Sequence, residues 1–142
     1  MYGTGQGSAN SPAIWCFLSS TLFDCYDTVV SPATYIASEI PTQTTLGMIG
    51  FVDDCNGQTN DFLSDGSSAT VQRLVTQTQQ NVQEWNDLLS ASGGALELSK
   101  CSCHILQWKF TLSGAPLLVP DHATLQDELV VSDRIANTTH KL

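Results

Sequence analysis

Apolar and polar positions recur along this chain with two periods, and the change from one to the other predicts its helices and strands. From Ala69 to Ser90, Val71, Leu74, Val75, Val82, Trp85, Leu88 and Leu89 fall at helical spacing, with Gln, Asn and Glu on the other face. Gly93-Gly94 just beyond is a natural helix stop. A second helix opens at Ser11-Pro12, an N-cap residue followed by a proline whose missing N–H costs nothing there. The run Ala13-Ile14-Trp15-Cys16-Phe17-Leu18 is apolar on every side, which describes a buried helix reaching about Cys25. Trp15 and Trp85 are read as core on these two helices.

Strand signals stand between and after the helices. Leu46 to Val52 is a short apolar run whose length favours a covered strand, and Cys55-Asn56-Gly57-Gln58 can carry the return. Asp53-Asp54 therefore sits at or beside a hairpin tip. Leu106, Trp108, Phe110 and Leu112 alternate with polar residues, the period of a half-buried antiparallel strand. Residues 28–45, with two prolines and many Thr and Ser, read as loop with at most one short extended segment, and a short helix is expected around Leu125–Val131. Helix, hairpin, long helix, then strands is the order of an α+β fold with helices on one face of an antiparallel sheet.

Composition narrows the classes. The chain has 142 residues and is 42% hydrophobic, enough for one modest core. No run of roughly 18 apolar residues predicts a membrane span. The segment Met1 to Gly7 has neither a basic nor an apolar region of the kind that directs secretion, so the expectation is an intracellular protein, cytoplasmic or nuclear. On that expectation Cys16, Cys25, Cys55, Cys101 and Cys103 are reduced thiols, mostly buried as small hydrophobes. A net charge of −9, with five basic residues, runs against strong nucleic-acid binding by this chain.

Asp53-Asp54 carries the clearest chemistry. Adjacent carboxylates after an apolar strand are costly to place without a cation. A hard divalent ion such as Mg²⁺ or Mn²⁺ takes oxygen ligands of this kind, and two such ions can clamp the oxygens exchanged in phosphoryl transfer. The plain reading is a polar hairpin turn, where Asp is favoured. Cys101-Ser102-Cys103-His104 holds zinc-ligand types without finger spacing, and packing is the reading that suits it. His122 and His140 have no sequence partners that make a triad, and Ser8 and Ser11 have nothing to activate them.

Three segments together carry a family resemblance. Gln6-Gly7, three residues, then Ser11-Pro12 and an apolar helix resembles the second polymerase motif of retroviral and retrotransposon reverse transcriptases. Phe51-Val52-Asp53-Asp54 looks like the third, with Phe where Tyr is commoner. Gly93-Gly94-Ala95-Leu96-Glu97-Leu98-Ser99-Lys100-Cys101 looks like the fourth, a Gly-rich turn and short strand ending in lysine, with Trp108-Lys109-Phe110 beyond it. Their order is the family's order, and they cover residues 3–112.

The resemblance implies a partial polymerase palm over 1–119, with 120–142 connecting toward a thumb or another downstream domain. It implies an RNA-directed DNA polymerase that adds nucleotides to a primer 3′ end on an RNA or DNA template. Asp53 would be a metal ligand and Asp54 its partner. Gln6 and Gly7 would line the pocket for the incoming nucleotide. Lys100 would lie near the pyrophosphate, and Phe51 would pack under the primer end. These enzymes use a further carboxylate upstream of the Gln-Gly motif, and the chain starts five residues before Gln6. On that expectation the chain alone is inactive. The alternatives are a non-catalytic palm-like binding or scaffold domain from a degenerate retroelement, and an unrelated acidic domain in which Gln6, Asp53 and Lys100 are scattered.

Overall fold

The computed structural model describes residues 10–36, 42–51, 54–60, 71–119, 129–133 and 137–142. Within them lie helices α1 (Ser11–Val29) and α2 (Val71–Ala91) and eight short strands. The strands are β1 (Ala33–Ile36), β2 (Gln43–Leu46), β3 (Met48–Phe51), β4 (Asp54–Gly57), β5 (Gln107–Phe110), β6 (Pro116–Val119), β7 (Val130–Asp133) and β8 (Thr138–Lys141). They pair consecutively as four two-stranded antiparallel ladders, so the fold is α+β.

The helix boundaries follow from local chemistry. α1 starts with Asn10 as N-cap, one residue earlier than expected, and with proline in its first turn. It runs past Cys25 to Val29. There Val30 turns extended while its N–H still bonds Tyr26 O at 3.1 Å, and Pro32 disfavours a helical Ser31. Ser19, Ser20, Thr21 and Thr28 each donate a hydroxyl proton back to a carbonyl three or four residues earlier. α2 ends as Gly93 takes φ +86°, and Gly94 N–H returns to Leu89 O at 2.9 Å.

The core lies where α1, α2 and β3 meet. Tyr26, Trp85 and Leu89 are buried together, and Leu22, Phe23, Met48, Leu88 and Leu96 pack against them. Phe23 stacks on Trp85 with ring centroids 5.5 Å apart, and Tyr26 meets the same indole edge-on at 5.5 Å. Each such pair adds about 1 kcal/mol beyond its buried area.

Several expectations are corrected. α1 is a helix but not a buried one: Ile14, Phe17, Leu18 and Val29 are exposed, and Tyr26 is its buried residue. The residues expected as loop over 28–45 carry β1 and β2, because Thr, Tyr and Ile suit a pleated edge. Trp108 and Phe110 sit on β5 as the alternation requires, yet both are exposed, and Leu112 lies outside the strand. The chain reverses there, with Gly114 at φ +82° and Thr111 N–H bonded to Ala115 O. Val130 and Val131, assigned to a C-terminal helix, are in β7, with Val131 fully buried. Cys16, Cys25 and Cys55 are exposed, whereas all five cysteines are free thiols. Among the described residues no helix is long and apolar enough to cross a membrane.

On α2, Gln72, Arg73, Gln80 and Glu84 face solvent, but another strip of its polar side is covered. Asn81 and Asn86 are buried. Asn81 Nδ2 donates to Thr59 Oγ1 at 2.9 Å and Ser31 O at 3.3 Å, joining the segments after α1 and β4 to the helix. Gln79 and Gln83 each pair through both amide atoms with the backbone of β7, at Val130 and Ser132. Residues four apart on a helix rise about 6 Å and residues two apart on a strand about 6.6 Å, so the two rows match.

Candidate functional site

β3 and β4 form the hairpin that the sequence places around the acid pair. Their register runs Met48↔Gly57, Ile49↔Asn56, Gly50↔Cys55 and Phe51↔Asp54. Asp54 thus opens β4 directly across from the last residue of β3, and its side chain is exposed. Asp53 and the neighbouring Val52 lie outside the described residues, as do Gln6 and Gly7; of Phe51 only the backbone is described. Cys55 follows Asp54, and although the residue is exposed, local loss of hydration at its thiol together with the Asp54 charge pushes the thiol above the ordinary value of 9.0. At neutral pH it is a protonated thiol, not a ready nucleophile.

Lys100 reaches the site by another route. The turn after α2 leads into Leu96, packed on the core, and then Leu98, which is buried. Leu98–Lys100 is one turn of 3-10 helix, not the end of a strand as the family pattern suggested. Lys100 N–H and Cys101 N–H close it onto Glu97 O and Leu98 O at 2.8 and 3.2 Å. The buried Leu98 is the anchor, and Lys100 is left exposed beyond it. Past this turn the chain runs without regular pairing through Cys101-Ser102-Cys103-His104, where burial still alternates residue by residue. Cys101 Sγ points to Glu97 O at 3.5 Å, and burial plus the Glu97 charge raises its pKa.

Asp54 and Lys100 line one open cleft of ≈ 2180 Å³, together with Asn56, Gln58, Trp15 and Trp108. Its size exceeds that of an ordinary small-molecule pocket of about 300–1,000 Å³. Of the expected site, Asp54 on β4 and Lys100 on the 3-10 turn both border this broad depression. Among the described residues no group of three His, Cys, Asp or Glu side chains is placed to hold a metal ion. Asp54 is an oxygen donor of the type Mg²⁺ accepts, but it does not make a site without Asp53.

Residues that position this hairpin were not singled out in the sequence. They are the glycines facing α1. A Cβ built on Gly50 would stand 2.5 Å from Phe23 Cζ, one on Gly47 would stand 2.5 Å from Asp27 Oδ1, and one on Gly57 would stand 3.8 Å from Tyr26 Oη. The spacing of three glycines through the hairpin is the signal that could have found them. Comparisons with protein-family models, curated proteins and solved structures give no significant match to this chain.

Proposed function

We propose that this chain carries palm elements of a reverse transcriptase and takes part in metal-dependent nucleotidyl transfer onto a primer end. What supports the proposal is that Asp54 and Lys100, from separate elements and two separate family motifs, both border the same broad depression. Asp53 and Asp54 would hold Mg²⁺ or Mn²⁺, which on binding supplies charge to the triphosphate oxygens. Lys100 would neutralise the pyrophosphate as it leaves. Gln6, Gly7 and Phe51 keep the roles the resemblance gives them, on the incoming nucleotide and the primer end. A net charge of −9 weakens the chain's own hold on template and primer, so nucleotide binding is the sharper readout.

The test is binding of a deoxynucleoside triphosphate with and without Mg²⁺. The expected result is metal-dependent binding that Asp53→Asn abolishes and Lys100→Ala weakens about 10-fold, the size of one charge-assisted contact. No binding in either condition favours the second reading, a palm-like scaffold. The exposed position of Asp54, with no three-ligand group among the described residues, is the observation that speaks for that alternative.

A further inference from the structure

Deepening that reading and resting on it, we propose that Phe23 is a positioning residue for the Asp54 end of the β3–β4 hairpin. Its ring fills a notch that Gly50 leaves open.

The hairpin meets α1 along one stripe. Phe23, Tyr26 and Asp27 are spaced three and four apart, so they share a helix face, and they approach Gly50, Gly57 and Gly47 respectively. The approach at Gly50 is the tightest of these that involves a rigid group. A Cβ there would lie 2.5 Å from Cζ and 2.8 Å from Cε2 of Phe23. Asp27 can swing away from Gly47, since it is exposed and flexible. Phe23 cannot swing in the same way. Its ring lies on the buried Trp85 indole at 5.5 Å and 24°, and that indole is held edge-on by Tyr26.

A chain of rigid contacts therefore runs from α2 through Trp85 and Phe23 to Gly50. Gly50 precedes Phe51 and lies across the ladder from Cys55, which follows Asp54. A displacement at Gly50 is one ladder pair away from Asp54. The hairpin is only four residues long on each side, and the Gly50↔Cys55 pair stands directly next to Phe51↔Asp54, whereas Met48↔Gly57 and Ile49↔Asn56 lie farther from Asp54. Supporting contacts of this kind fix ligand geometry without touching the ligand.

The experiment uses the whole chain and four variants: Gly50→Ala, Phe23→Leu, the double variant, and Val75→Ala as a core change away from the hairpin. Leucine lacks both atoms that a Cβ at position 50 would strike, so the double variant relieves the clash. Two quantities are read: hydrogen exchange of the peptide spanning residues 46–58, and Mn²⁺ affinity. Gly50→Ala is expected to speed exchange and to weaken Mn²⁺ binding by about 10-fold, the scale for losing a ligand-supporting contact. The double variant is expected to recover both, and Val75→Ala is expected to change neither.

Unchanged exchange in Gly50→Ala, absence of recovery in the double variant, or an equal effect from Val75→Ala would overturn the proposal. If Gly50→Ala does not fold, folding of the double variant supports the notch, and failure of both counts against it. Should the unmodified chain bind no Mn²⁺ through Asp53, the metal reading fails. The exchange arm still decides whether Phe23 seats the hairpin.

Discussion

The carboxamide of Gln83 meets both backbone groups of Ser132: Ser132 N–H donates to Oε1 at 2.9 Å, and Nε2 donates to Ser132 O at 3.0 Å. Gln79 does the same at Val130, and Asn86 adds a second donor to Ser132 O at 3.1 Å. Side chains of a helix thus stand where a neighbouring strand would, and they cover the outer edge of β7. An uncovered edge of this kind invites pairing with other chains. Replacing Gln79 and Gln83 by Ala is expected to lower stability by about 1–2 kcal/mol per position. Amide exchange at Val130 and Ser132 checks this, and it should rise while exchange within α1 stays as it was.

Trp85 gives a prediction with two arms. Its indole is 5% exposed and touches both Phe23 and Tyr26, but Nε1 is buried with no hydrogen-bond partner. Trp85→Ala removes the centre of the core and should cost about 3–5 kcal/mol. Trp85→Phe loses area but also removes an unsatisfied donor, so its cost should stay under about 1.5 kcal/mol. Denaturant midpoints of the two variants separate these outcomes.

Tyr26 ties stability to pH. Burial, with a smaller contribution from the charge of Asp27, pushes its phenol from 10.0 up to about 12. The folded chain therefore holds the phenol proton more tightly than the unfolded chain. That contribution is whole below pH 10 and is lost as pH rises toward about 12. Tyrosinate absorbance should show one late-titrating group, and Tyr26→Phe should remove this loss from the alkaline arm of the stability curve.

The elements were legible where the period was long or the punctuation strong. α2 was marked by seven apolar positions and a Gly-Gly stop, and it ends at Ala91, one residue past the expected Ser90, while the expected start at Ala69 lies outside the described residues. The β3–β4 hairpin was marked by a short apolar run and its turn residues. Burial was harder to read, because apolar content says that a face wants cover and not which partner supplies it. Phe17, Trp108 and Phe110 are exposed for that reason. Periodicity set the amide face of α2 opposite the apolar one and did not show that Asn81 and Asn86 are buried. The near absence of charge on it, with Arg73, Glu84 and Asp87 the only charged residues in the helix, was the available hint.

Of the candidate site, the order of motifs was legible and the route of Lys100 was not. A lysine after Leu-x-Leu-Ser reads as strand, yet the buried Leu98 and the bonds back to Glu97 and Leu98 tighten it into a 3-10 turn. Phe23 was legible only as an apolar helix position. Its role depends on a glycine 27 positions later, a long-range pairing that periodicity does not encode.

The most direct test of the central claim is to add Mn²⁺ to the isotopically labelled chain and follow which amide resonances broaden. The account predicts broadening centred on Asp54 and Cys55 and extending across the cleft to Lys100, abolished by Asp53→Asn. Broadening that centres on other acids, or that survives Asp53→Asn unchanged, would contradict it.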